Sequence, residues 1–85
     1  MDEIYQEINK VRTKEDFLRF LNLFIKDLSN NKQLWENDNL EDYLEGMESW
    51  IENMDGYYQN MALPIPKNID WNVFANILFA AKMYE

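Results

Sequence analysis

The chain of 85 residues has no cysteine and no histidine, and only two glycines and two prolines. Without cysteine there is no disulfide to support the fold and no thiolate to bind a metal or attack a substrate. Without histidine the usual general base at neutral pH is missing, and with it nearly every zinc site. Two glycines cannot build a G-x-G-x-x-G turn or a phosphate-cradling loop. The region of Asp38 also lacks the glycine and the downstream glutamate register of an EF-hand. These gaps lead to the expectation of no cofactor, no metal and no enzymatic activity. Carboxylates remain as acid–base candidates, for example Glu41 and Glu45 one helical turn apart. A catalytic pair needs its pKa values split by burial, and these two fall on the side expected to meet solvent. Long apolar runs are absent too: nothing approaches the ~20 apolar residues that span a bilayer. The opening MDEIYQEINK has neither the basic start nor the apolar run of a signal peptide. A cytoplasmic protein that does not enter the membrane is therefore expected.

What the chain does contain is apolar side chains at helical spacing. Its hydrophobic fraction is 47%, with thirteen aromatics, enough for a core and too much for a disordered chain. The spacing predicts an all-α, compact orthogonal or bundle-like domain over residues 1–85. It should have three to four helices, at about 3–11, 14–30, 40–54 and 71–84. Ile4, Ile8 and Val11 mark the first. Thr13 before Lys14-Glu15-Asp16 reads as a cap for the second. There Phe17, Leu18, Leu21, Phe24, Ile25 and Leu28 share one face, and Phe20 and Leu23 widen it, so this helix is expected to be central and touched from two sides. The third starts after Asn39, buries Tyr43, Leu44, Met47, Trp50, Ile51 and Met54, and is expected to stop at Gly56. Pro64-Ile65-Pro66 should run extended across the surface. Asp70 caps the last helix, whose seam is Trp71, Phe74, Ala75, Leu78 and Ala81. One shared core of Phe17, Leu21, Phe24, Leu44, Trp50 and Leu78 is expected.

Charge is concentrated. Residues 31–62 hold eight acids against one base, Lys32, so this segment carries −7 of the chain's net −8. Glu41, Glu45, Glu48 and Glu52 stand at offsets 0, 4, 7 and 11, on one side of a single helix. Like charges four apart destabilise a helix by roughly 0.2–0.5 kcal/mol each, and no lysine sits within this helix to offset them. One reading is a solvated face kept soluble by charge and partly neutralised by Lys10, Arg12, Lys14, Arg19 or Lys26. The other is a docking surface for a basic protein. A field of this sign repels nucleic acid and anionic membranes, so neither is expected as a direct partner.

The aromatics near this stripe divide between core and contact roles. Trp50 lies in the apolar stripe, and Trp71 should close one end of the core. Trp35 sits in the connector before the third helix. It is expected either to plug the core edge, with Asn37 satisfying loop backbone or helix-start groups, or to stand exposed as an interface anchor. Tyr57 and Tyr58 beside Gly56 read as an exposed turn with at least one ring packed inward. The candidate contact residues are therefore Trp35, Asn37, Glu41, Glu45, Glu48, Glu52, Tyr57 and Tyr58. The methionines read as gap fillers, Met61 least securely.

The pattern Trp35-Glu36-Asn37, then Leu40, Tyr43-Leu44-Glu45, Trp50, Tyr57-Tyr58, Trp71, Ala75, Leu78, Ala81 and Tyr84-Glu85 resembles a bacterial family catalogued as a domain of unknown function. The resemblance runs from about Thr13 to Glu85. Its most specific parts are the W-E-N element and the terminal A-x-x-Y-E. It implies a small bacterial protein and carries no catalytic residues. Such small acidic proteins are similar to immunity or accessory proteins. The function expected from the residues is a protein-interaction module, monomeric or weakly dimeric, that meets a basic protein partner through its acidic third helix. The alternatives are an immunity-type inhibitor of a toxin, or a small-molecule or peptide binder with a pocket beside Pro64–Pro66.

Overall fold

In the computed structural model, which describes residues 3–84, the chain is all-α and bundle-like. The helices are α1 (Glu3–Ile8), α2 (Lys14–Asn31), α3 (Leu40–Asn60) and α4 (Trp71–Ala81), with one 3-10 turn at Lys32–Leu34. Among the described residues there is no strand. None of these helices is long and apolar enough to cross a membrane.

The start of α2 follows directly from its sequence. Thr13 Oγ1 accepts from the Asp16 N–H at 3.1 Å, and Asp16 Oδ2 accepts from the Thr13 N–H at 3.2 Å, a reciprocal capping box. Asn39 and Asp70 cap α3 and α4 the same way, each accepting from a backbone N–H three residues on. The first helix is shorter than its apolar spacing predicts. It ends at Ile8, and Val11 is carried into the core by a following turn.

The hub is α4, not α2. α1, α2 and α3 all pack on α4, whereas α2 and α3 do not pack on each other. This topology rotates the buried side of α2 away from the expected centre. Phe17, Phe20 and Phe24 are buried, while Leu18, Ile25 and Leu28 are exposed because no helix lies over them. On α3, Trp50 is buried but Leu44 and Ile51 are exposed for the same reason. Trp71 and Phe74 are also partly open, Phe74 stacked on Phe17 at 4.9 Å and Trp71 tilted against it at 5.3 Å between ring centroids. The apolar interior is split in two. One cluster joins α1, α2, Trp35 and Ala75, with Leu21 and Leu78 at its edge. The other joins Trp50, Tyr58, Val73 and Ile77. The expected single core therefore fails at Leu44, which is exposed, and at Trp50, which belongs to the second cluster.

Gly56 does not stop α3. It adopts ordinary negative φ inside the helix, which continues to Asn60. The actual stop is Ala62, at φ 57°. Its N–H donates to Gln59 O at 3.1 Å, and the Leu63 N–H donates to Tyr58 O at 2.9 Å. This is a Schellman ending with alanine in the left-handed position usually filled by glycine. Tyr57 and Tyr58 consequently lie in the last turns of α3 rather than in a turn. At the other end of the chain, α4 stops at Ala81, short of residue 84.

Candidate functional site

The acidic side of α3 is built by helix geometry. Glu41, Glu45, Glu48 and Glu52 are all exposed, and none has an ion-pair partner among the described residues. The bases expected to neutralise them are engaged elsewhere or lie apart. Lys10 pairs with Glu7 at 3.7 Å, and Arg19 pairs with Asp16 at 2.7 Å and Glu7 at 3.8 Å. Glu45 and Glu48 share a polar surface cleft with Glu36 and Asp42, bordered by Tyr84.

The start of α3 also borders an apolar trough of about 330 Å³. Its walls are Leu21, Ile25 and Leu28 of α2 and Leu40 and Tyr43 of α3, and Leu78 of α4 lies between them. The trough exists because α2 and α3 both lean on α4 without meeting. Ile25 is 56% exposed and Leu40 72%. Burying such a side chain is worth about 1.5–3 kcal/mol, so these positions forgo stability that a neighbour would supply. Tyr43 is anchored below, its hydroxyl donating to Leu78 O at 2.7 Å, and burial raises its pKa.

Three expected contact residues are internal. Trp35 is 7% exposed and so is no surface anchor. Its ring packs on Phe24 at 4.8 Å, and its Nε1 donates to Asp27 Oδ2 at 2.7 Å. Asn37 is also buried, and it serves the end of α4 rather than a helix start. Its Nδ2 donates to Ala81 O at 2.8 Å and Tyr84 O at 2.6 Å, while its backbone N–H donates to Lys82 O at 2.9 Å. These bonds satisfy carbonyls that every helix C-terminus leaves open. The W-E-N and A-x-x-Y elements, far apart in sequence, are thus one structural joint. Tyr58 is buried with a hydroxyl that has no hydrogen-bond partner among the described residues, and burial, then the nearby Asp70 charge, raises its pKa. Tyr57 is half-buried. Burial and the neighbouring Tyr5 hydroxyl push its pKa up to about 12, so it stays neutral at physiological pH.

Two features of this joint carry no obvious sequence signal. The first is a buried ion pair. Lys82, 6% exposed, reaches Asp27 Oδ2 at 2.9 Å and lies over the Trp35 and Phe79 rings at 5.3 and 4.9 Å from their centroids. Burial alone would raise the Asp27 pKa. Hydrogen bonds from Lys82, Trp35 and Asn31, with the Lys82 charge, outweigh it and hold the carboxyl below its ordinary 3.8. The second is Gly46. A Cβ there would stand 2.5 Å from Asn37 Nδ2, 2.7 Å from Tyr84 O and 2.8 Å from Ala81 O. Only glycine lets α3 come this close to the α4 end. Its spacing of four from Trp50 places it on the buried side, the one hint the sequence offers. The trough walls Leu21, Ile25, Leu28 and Leu40 were also not foreseeable as a site, since the same spacing describes a core face.

Among the described residues no group of three or more His, Cys, Asp or Glu is placed to hold a metal ion. Asp27 and Lys82, charged groups of the interior, bind each other. No curated protein and no solved structure matches the chain. One family model does, over residues 13–85, and the chain belongs to that family, DUF7660, a family of unknown function.

Proposed function

We propose that this chain is a non-enzymatic protein-interaction module that meets a basic partner through the acidic side of α3. The observation that carries this reading is the row Glu41, Glu45, Glu48 and Glu52, exposed and without ion-pair partners among the described residues. Natural surfaces usually intersperse both signs of charge, because an unpaired row repels itself. A partner that brings lysine or arginine to this row relieves the repulsion on binding, and the shared field speeds their encounter. An immunity-type inhibitor that covers a basic surface of a toxin is one form this partnership could take. The same field argues against direct binding to nucleic acid or anionic membrane. The lack of cysteine agrees with a cytoplasmic setting.

The test is the double reversal Glu45→Lys/Glu48→Lys, compared with wild type in partner capture from the native host and in thermal melting. The reading expects capture to disappear while the melting temperature holds or rises slightly, since repulsion along the helix is relieved. It also expects wild-type capture to weaken steeply with salt. Capture that survives the reversal, or a collapse in stability, leaves the row a solubilising or structural feature.

A further inference from the structure

We propose that the pocket between α1, α3 and the end of α4 binds a small free quaternary ammonium compound, its methylated cationic head enclosed by the rings of Tyr5, Trp50, Tyr57 and Tyr84. This goes beyond the reading above, since none of Glu41, Glu45, Glu48 and Glu52 lines the pocket and its occupant is a small molecule. Lining, charge and hydrogen-bonding capacity carry it.

The pocket holds about 250 Å³, below the roughly 300–1,000 Å³ of drug-sized sites, so it suits a compact ligand. Five of the residues that line it are aromatic: Tyr5, Trp50, Tyr57, Phe79 and Tyr84. Its origin is the split interior. Tyr5 and Phe79 stand at the edge of the first apolar cluster, and Tyr57 and Tyr84 at the edge of the second. The gap between the clusters is therefore walled by rings. Tyr5 meets Phe79 at 5.6 Å and 46°, and Trp50 meets Tyr57 at 5.6 Å and 56°. The Tyr57 hydroxyl adjoins that of Tyr5. Rings inclined in this way form an arc of walls across three helices rather than a flat stack.

Charge and hydrogen bonding choose the ligand. The face of an aromatic ring is electronegative and attracts a cation within about 6 Å of its centroid, more strongly where water is excluded. Phe79 already makes such a contact, with Lys82 Nζ 4.9 Å from its centroid. Asp27 balances that lysine at 2.9 Å, so Lys82 does not set the sign of the pocket. No side chain of the lining is charged. Tyr84 also borders the cleft of Glu36, Asp42, Glu45 and Glu48, and the chain carries a net −8. The surrounding field thus draws in a cation and opposes an anion. The amide of the lining, Asn76, spends its Nδ2 on Asn72 O and Oδ1, at 3.0 and 3.1 Å. A primary ammonium has three N–H donors and would exchange water for walls without a carboxylate. A quaternary ammonium has no N–H to satisfy and presents its charge through methyl groups that pack on the rings. The volume takes such a compound whole, so no tether to a larger partner is needed.

The test titrates the full chain with choline, with its uncharged tert-butyl isostere dimethylbutanol, and with ethanolamine, following ring and indole signals by NMR. Choline should bind saturably, with a Kd of about 1 mM or tighter, and shift the signals of Trp50, Tyr57 and Tyr84. The isostere and ethanolamine should bind about tenfold or more weakly. Tyr57→Leu keeps apolar bulk but removes the ring, and should lose about fivefold or more in affinity, whereas Tyr57→Phe should stay within about twofold of wild type. Tyr84→Leu, beyond the end of α4, should lose as much as Tyr57→Leu and serves if that variant unfolds. No saturable shift up to about 10 mM choline, equal binding of the isostere, shifts centred on Trp35 or Trp71, or wild-type affinity in the folded leucine variants overturns the proposal. So does a trimethyllysine peptide that binds about tenfold more tightly than choline, which would make a protein side chain the occupant.

Discussion

The two sides of α3 have opposite fates. Toward the end of α4 the helix is packed so closely that Gly46 has no room for a Cβ, and Asn37 closes the joint with bonds to two carbonyls. Toward α2 the same helix presents Leu40 and Tyr43 to an open trough. Leu40, a large apolar residue, stands open at 72% exposure, while Gly46 with no side chain is buried. Burial in this protein is therefore decided by where neighbouring helices lie, not by how apolar a side chain is. The closed side stabilises the fold, and the open side leaves apolar surface uncovered.

The sharpest way to break this division is at the buried ion pair. Asp27→Ala would break the buried pair and remove the acceptor that the Trp35 indole N–H and the Lys82 ammonium share, with a cost of about 3–5 kcal/mol. A domain of this size has on the order of 4–13 kcal/mol in total, so the variant should be close to unfolding in a denaturant titration. The pair also sets a pH dependence. The folded Asp27 pKa lies below its unfolded value, so its contribution is present above about pH 4. It is lost as the pH falls through the lower folded pKa. The stability gap between wild type and Asp27→Asn should therefore narrow as the pH falls below about 4. A gap that stays constant to lower pH would place the cause outside the carboxylate.

A smaller effect is expected at Gly46. Gly46→Ala must push aside two backbone carbonyls and the Asn37 amide. Overpacking with loss of the Asn37 bonds should cost about 3 kcal/mol. The other glycine of α3 supplies the control. At Gly56 an added Cβ meets nothing within 4 Å, so Gly56→Ala should stabilise the helix by about 0.5–1 kcal/mol. Opposite signs for one substitution within one helix would be difficult to explain by helix propensity alone.

The helices and their caps were legible in the sequence because they depend on local chemistry. Thr13, Asn39 and Asp70 announce three helix starts through the backbone bonds they make. The acidic row of α3 was legible for the same reason. The end of α3 was misjudged because glycine is the usual left-handed stop, whereas here Ala62 takes that conformation and Gly56 stays helical. The buried side of α2 was misjudged because its apolar residues cover more of the helix than one contact can hide. Periodicity marks a face wide enough for either Phe20 or Ile25 at its centre, and only the position of α4 decides between them. The joint of Asp27, Asn37, Gly46 and Lys82 was invisible because it depends on residues brought together from distant parts of the chain.

The most direct test of the division is the smallest effect. The double variant Ile25→Ser/Leu40→Ser changes two large apolar residues on the open side, both more than half exposed. If the trough is open surface, the melting temperature of the free protein should stay within about 4 °C of wild type, a change under roughly 1 kcal/mol. A fall of more than about 10 °C, roughly 2 kcal/mol or more for a domain this small, would mean that these side chains are core and that the trough is closed in solution.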